Sequence, residues 1–530
     1  MRSIKIIRKI SLAIASILLL NGCTKNLENI NINPNLPEIV PTNTIFNGAN
    51  KFLLSNTRDG WWQMRMSMPW MQYSAQNNYI EEDKYLYRDA QGNNGWNYLY
   101  RSANNYQDII KQCEDPVLSK QMSVYGDLAN QIAVSRIMLA YVFDNLVTHF
   151  GAVPYWSYGQ PDNPDFQALD IEKTITAAYV SEEVIYKDLL KELKEAVAQL
   201  NLDEVVFTSS DNIYRGDAAS WKKFANSLRL RIANRVKEVI PEAKAEIKDA
   251  INSGVFTSNA DNAIHAFGKT NADANPFWSL FYVDNRTDYW VNRSFIQLLV
   301  GAKGNFGFDP RLYKVAAPKG LIFKDYTRIG YTDSEDMNDY TGLPYGLPKV
   351  EAYYQQAVNI NIFSKDFLKV DRGEVLMEYA EVEFILSELN GWAQDSYVRA
   401  VVANMERLEV PSVSIAKFVG ALPSANEKNV LTQKYVSLMY VPDEAWNEYR
   451  RTGYPDGDIL LLPGATGVRP HDGSTYIFTP LKSGNVVATD LPARIRYPST
   501  QQTLNPINWR VAVAKLGGDE IDKKLLFAKK

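Results

Sequence analysis

Residues 127–151 read DLANQIAVSRIMLAYVFDNLVTHFG, and the fold class follows from this stretch. Leu128, Ile132, Leu139, Val142, Leu146 and Phe150 recur at steps of three, four and seven, which puts them on one face of an α-helix. Ala133 and Ala140 lie near that face and let a neighbouring helix approach closely. Gly151 and Pro154 stop the helix.

The same period continues on the C-terminal side. Ser181 reads as an N-cap, with Glu182 and Glu183 in the first turn, where the helix dipole favours acids. Ile185, Leu189, Leu193, Val197 and Leu200 form the stripe of that helix. After Asp217 come Trp221, Phe224, Leu228, Ile232, Val236 and Ile240. Pro241 opens a short partner with Ile247 and Ile251, closed by Gly254. That is a helical hairpin, the unit of tetratricopeptide-type scaffolds, although no strict 34-residue repeat is visible. Two more helices are predicted, one over about Glu374 to Asn390 and one over about Asp395 to Leu408. Between them lie long stretches rich in Gly, Pro, Asn and Asp at 257–290, 301–350 and 453–508, where at most short strands such as Tyr476-Ile477-Phe478 are expected. The expected fold is mainly α, a tetratricopeptide-like superhelix of hairpins bearing an irregular, loop-rich lobe.

The N-terminus carries a different message. Arg2, Lys5, Arg8 and Lys9 precede an apolar run from Ile10 to Leu20, too short to span a membrane but suited to a signal segment. Leu20-Asn21-Gly22-Cys23 follows, which looks like a bacterial lipobox with Cys23 as the lipidated residue. Residues 1–22 thus read as a lipoprotein signal peptide, 23–45 as lipidated cysteine and Asn/Pro-rich tether, and 46–530 as a single body. Without the signal the balance is 53 basic against 61 acidic residues.

Composition narrows the function. The 530 residues are 46% apolar and 22% charged, an ordinary globular balance that excludes a disordered, collagen-like or coiled-coil chain. A net charge of −4 leaves no basic excess to neutralise phosphates, so no nucleic-acid partner is expected. Two cysteines exclude a disulfide framework and a four-thiolate zinc site, and Cys113 reads as an inert buried thiol. Three histidines, at 149, 265 and 471, are too scattered for a metal site.

Several segments resemble the SusD/RagB-type nutrient-binding outer-membrane lipoproteins. These are the lipobox followed by Asn33-Pro34-Asn35, Arg136 to Tyr141 leading to Phe150-Gly151-Ala152-Val153-Pro154-Tyr155, and Tyr214-Arg215-Gly216-Asp217 before Trp221 to Arg231. Asp309-Pro310-Arg311-Leu312, the acidic helix at Tyr379 to Leu386, Ala445 to Pro455, and Arg496-Tyr497-Pro498 with Asn505, Asn508 and Gly517-Gly518-Asp519 complete the set, in order along nearly the whole chain. Ser387 departs from the more usual Ala, and the 395–408 helix lacks the usual small-residue pattern. The resemblance implies a tetratricopeptide-like scaffold with a ligand-binding lobe. It also implies an outer-membrane location facing the exterior, and a SusC-like TonB-dependent transporter as the partner that the lipoprotein caps like a lid. The implied role is to capture nutrient oligomers, glycans first and oligopeptides as the alternative, and to deliver them to that transporter.

Catalytic chemistry finds no foothold. Glu374, Glu378, Glu381, Glu383 and Glu388 crowd one predicted helix, and a glycosidase would need two such carboxylates facing one bond. An acidic face of this kind reads instead as solvated or salt-bridged, with Arg450 and Arg451 as partners. G-x-S-x-G, H-E-x-x-H and C-x-x-C are absent. Gly301 to Gly307 has the wrong spacing for a phosphate loop, and Asp333, Glu335, Asp336 and Asp339 lack the EF-hand pattern. No catalytic residue, cofactor or metal is expected.

Aromatic residues are the one enrichment, with 11 Trp, 31 Tyr and 21 Phe. Trp61, Trp62, Trp70 and Tyr73 lie near Gln72, Asn77 and Asn78; Trp278, Phe281, Tyr282, Tyr289 and Trp290 lie near Asp284, Asn285 and Arg286. A ring offers a flat apolar face to a pyranose or a peptide side chain, and the polar neighbours can pair with hydroxyls or main chain. The candidate ligand residues are therefore Trp278, Tyr282, Arg286, Tyr289 and Trp290, expected in a loop, followed by Trp61, Trp62, Tyr73 and Asn77.

Overall fold

The computed structural model describes residues 39–321 and 330–529, so the signal segment, Cys23 and the tether up to residue 38 lie outside the described residues. The chain separates into Met1–Pro41 and a second unit from Thr42 onward, which carries the fold. Its first helix, α1 (Thr42–Thr57), starts inside the stretch read as tether, so residues 42–45 are helix.

Five helices of 11 residues or more follow: α2 (Asp89–Glu114), α3 (Leu128–Phe150), α4 (Glu182–Gln199), α5 (Ala218–Val236) and α6 (Ala243–Ser253). From α1 to α6 each helix packs on the next, the stacked arrangement expected of tetratricopeptide-like hairpins. The central helix α3 is buried on nearly every side. Asp127 caps it by accepting from the Asn130 N–H at 2.9 Å, and Gly151 ends it at φ 85°. Asp217 caps α5 in the same way through the Ser220 N–H at 2.9 Å. Ser181 stands at the N-cap of α4, but its hydroxyl makes no capping bond.

Beyond α7 (Pro276–Tyr282), helices α8 (Tyr379–Leu389) and α9 (Gln394–Arg407) form another hairpin. α10 (Glu427–Ser437), α11 (Pro442–Thr452) and α12 (Pro506–Leu516) follow, and α8 touches both α5 and α10, which joins the two halves of the scaffold. Strands are short and pair antiparallel, two by two. β1 (Ser74–Gln76) pairs with β3 (Tyr289–Val291), β2 (Ala263–His265) with β4 (Glu374–Met377), and β5 (Thr466–Val468) with β6 (Thr475–Ile477).

β4 corrects the sequence reading, which ran one helix from Glu374 to Asn390. Residues 374–377 are strand, and Glu378, at φ −118° and ψ 153°, separates them from α8. The Glu374 carboxylate is held by the Asn275 amide and the Arg372 guanidinium, both at 2.7 Å, while its main chain pairs with β2. Cys113 is a buried free thiol, as expected, and burial pushes its pKa up to about 12. Among the described residues no helix is long and apolar enough to cross a membrane.

Buried charges hold the helices in register. Arg235 on α5 reaches Asp144 on α3 at 2.5 Å and Glu444 on α11 at 2.6 Å. Arg231, one turn earlier, forks onto Glu381 of α8. Arg451 joins Glu388 and Glu448, and Lys434 also reaches Glu448. Arg450, expected to pair with the acidic helix, does not: its guanidinium donates to the carbonyls of Thr148, Ala493 and Trp446 and to the Asn447 side chain.

Asp443 sits between Arg58 and His149. Burial pushes its carboxyl up, but the His149 hydrogen bond and charge and the Arg58 guanidinium outweigh this and hold it at about 2. Burial likewise raises Glu388 and Glu448, and Arg451 overcomes it so that both end below the usual carboxylate range. A depressed native pKa supplies stability above the unfolded value that is lost as pH falls through the native one. The thermal midpoint is therefore expected to drop as pH is lowered from about 4 to about 2, and Asp443→Asn to make that drop shallower. An equally steep fall in the variant would remove Asp443 from the acid response.

Candidate functional site

The β1–β3 pair brings the two aromatic stretches together. Ala75 faces Trp290, and Gln76 faces Tyr289. The Asn77 N–H continues the contact by donating to the Asp288 carbonyl at 3.0 Å. The Tyr289 hydroxyl donates to the Gly60 carbonyl at 3.0 Å, which ties the chain before Trp61 to the same place. Gly60 itself meets α7 so closely that a Cβ there would lie 2.4 Å from Leu280 Cδ1.

Asp59 decides which indole faces out. Its Oδ1 accepts from the Trp61 and Trp62 N–H groups at 2.9 and 2.7 Å, a local turn in which consecutive side chains diverge. Trp61 is 48% exposed, whereas Trp62 is buried against His149 and Gly95, where a Cβ would fall 1.9 Å from the indole. Burial pushes the Asp59 carboxyl up to about 6, against the pull of those two N–H donors.

Over Trp61 lie two guanidinium groups, Arg65 at 4.5 Å and Arg286 at 5.2 Å from the ring centre. Arg65 is anchored by the buried Glu82. Arg286 is held through Nε at 2.9 Å and through Nη2 by Asp288, and it also lies 5.6 Å from the ring of Tyr79, which is 49% exposed. The result is an open platform of Trp61 and Tyr79 sharing Arg286, with Asp59 and Asp284 nearby. Tyr79 and Asn285 both adopt left-handed backbone, at φ 54° and 52°, an arrangement that surrounding contacts must hold. On α7, capped by Asn275 and opened by Pro276, Trp278 and Tyr282 stack one turn apart at 5.2 Å and 24°.

The sequence expectation is thus divided. Trp61, Arg286, Trp278 and Tyr282 keep surface and come from the two predicted stretches, with Trp61 and Arg286 in contact. Trp278 and Tyr282 stand on a short helix, and Tyr289 and Trp290 on a strand, so of the expected loop only 283–288, with Arg286, is loop. Tyr289, Trp290, Trp62, Tyr73 and Asn77 are buried. The Trp290 indole donates to the Thr287 carbonyl at 3.0 Å, and Tyr73 stacks on Tyr435 at 4.6 Å. Of these, Tyr289 lies next to the platform through its bond to the Gly60 carbonyl. Tyr79 was missed; its signal is a large ring directly after Asn77-Asn78 in a polar stretch.

Glu378 and Glu381, two carboxylates of the kind a glycosidase would need, are both buried and committed, Glu381 to Arg231 and Glu378 to Arg407. Among the described residues no group of three His, Cys, Asp or Glu side chains is placed to hold a metal ion.

A family model described as "Starch-binding associating with outer membrane" matches residues 34–464, and one described as "Susd and RagB outer membrane lipoprotein" matches residues 419–528. Among solved structures, a chitin-binding protein is 25% identical, with 92% of this chain and 100% of that one covered and a TM-score of 0.70. A SusD homologue from Parabacteroides distasonis shares 21% identity over 92% of this chain and 98% of its own, TM-score 0.71. A chitin-binding SusD homologue from Flavobacterium johnsoniae shares 20% over 92% and 98%, TM-score 0.68. No curated protein matches the chain. With a family model spanning residues 34–464 and a second reaching residue 528, the chain belongs to the SusD-like family of outer-membrane lipoproteins.

Proposed function

We propose that this protein binds nutrient glycans on the Trp61–Arg286–Tyr79 platform and delivers them uncleaved to a SusC-like TonB-dependent transporter. In this reading the signal segment ends at residue 22, Cys23 carries the lipid, and the body faces the cell exterior on its tether. The observation that carries the proposal is two exposed rings held on one guanidinium, in a chain of this family. A neutral pyranose can lay its C–H face on such rings while Arg286 and the carboxylates of Asp59 and Asp284 meet its hydroxyls. The similarity to a chitin-binding protein along the whole of that chain favours oligomers of N-acetylglucosamine as the first ligands to try. The pairing of Glu378 and Glu381 with arginines favours binding without turnover.

The test is calorimetry with chito-oligosaccharides, malto-oligosaccharides and a mixed oligopeptide pool at low and high salt, followed by product analysis. Trp61→Ala is expected to weaken glycan binding about tenfold, the equivalent of about 1.4 kcal/mol, and Trp278→Ala by less. A neutral sugar should show little salt dependence, and every oligomer should be recovered intact. Peptide binding in place of glycan, lost as salt rises, would replace the cargo in this reading. Unchanged glycan affinity in folded Trp61→Ala would move the site elsewhere.

A further inference from the structure

The β5–β6 hairpin and the segment 351–359 build a second aromatic surface, joined to Asn77 and Asn78. Tyr353 is 39% exposed, and His471 stacks on it with ring centres 4.2 Å apart at 16°. Tyr354, itself buried, meets both rings edge-on, and its hydroxyl lies 2.9 Å from His471 Nδ1. The backbone beneath is fixed as well. The Asn359 amide donates to the Tyr353 carbonyl at 2.8 Å, and Arg469 on the hairpin pairs with Glu351 at 2.8 Å.

This surface is tied to the first one. The Asn77 amide donates to the Tyr354 carbonyl at 3.2 Å, and the Gln355 amide donates to Asn78 Oδ1 at 2.9 Å. Asn77 and Asn78 are the two residues before Tyr79. A ring pre-stacked on one face and braced on its edge is ready to receive a sugar at little ordering cost.

We propose that Tyr353, backed by His471, is a second sugar-stacking subsite that engages only oligomers long enough to reach it from Trp61 and Tyr79. The inference rests on the glycan reading of that first platform. Once one end of the ligand is held there, contact with Tyr353 is intramolecular and adds affinity without a second association cost.

The experiment titrates chitobiose and chitohexaose into wild type, Tyr353→Ala, Tyr353→Phe and Trp61→Ala. Wild type should bind the hexamer about tenfold more tightly than the dimer. Tyr353→Ala should erase that difference and leave dimer affinity unchanged; Tyr353→Phe, which keeps the ring, should retain it. Trp61→Ala should weaken both ligands. If Tyr353→Ala keeps the full length dependence, or weakens dimer and hexamer equally, the second subsite is refuted while the glycan reading stands. If wild type binds neither sugar, chitin oligomers are not the cargo and the subsite stated for them falls.

Discussion

Arg235→Ala is expected to cost about 3–5 kcal/mol of folding stability, because it strands two buried carboxylates at once. Asp144 and Glu444 come from helices far apart in sequence, and the Arg235 fork is the direct bridge between them. Desolvation already pushes the Asp144 carboxyl up, and the arginine is its chief counterweight. For a fold with a net stability of about 5–15 kcal/mol, such a loss is a large fraction of the whole. Arg235→Lys should lose less but still substantially, since one ammonium cannot fork between two acids. Guanidinium unfolding at neutral pH measures both. Adding Asp144→Asn to Arg235→Ala should recover part of the loss, because one orphaned charge is gone. A loss below about 1 kcal/mol with an unchanged denaturant slope would show that the bridge is dispensable.

Cys23→Ser carries the largest expected change in location: the protein should pass wholly from the detergent-extracted membrane fraction to the soluble one. Each buried methylene of a lipid chain adds roughly 0.8 kcal/mol of anchoring. No described helix offers a substitute span. Membrane fractionation with mass spectrometry of the N-terminal peptide is the measurement. A Cys23→Ser protein that still needs detergent would defeat the lipobox reading, and glycan binding by that variant should be unchanged because the platform lies in the body.

The scaffold was readable because its helices are long and carry their own punctuation. Asp127 and Gly151 bracket α3 in sequence as they do in space. Asp217 and Gly254 do the same for the α5–α6 hairpin. The site was readable only in part. Whether an aromatic residue faces solvent depends on a partner that local sequence does not name. Trp61 and Trp62 are adjacent and chemically identical, and only the Asp59 turn sends one outward. Tyr289 and Trp290 look like loop residues because a three-residue strand is too short to display alternation. Their partner strand lies more than two hundred residues earlier. Residues 374–390 read as one helix because an apolar run shows its period but not the break at Glu378.

The Tyr289–Gly60 bond closes 229 residues of chain. Closing a loop of that length costs entropy that local helices never face, and contacts so distant in sequence form late. A chain emerging from its N-terminus presents Trp61 and Tyr79 early, yet their shared guanidinium and bracing strand arrive only with residues 286–291. Helices α1 to α6 are complete before that point. On the proposed reading, glycan binding therefore reports the pairing of β1 with β3: a chain caught with α1 to α6 assembled but β1 still unpaired would be helical and unable to hold a glycan.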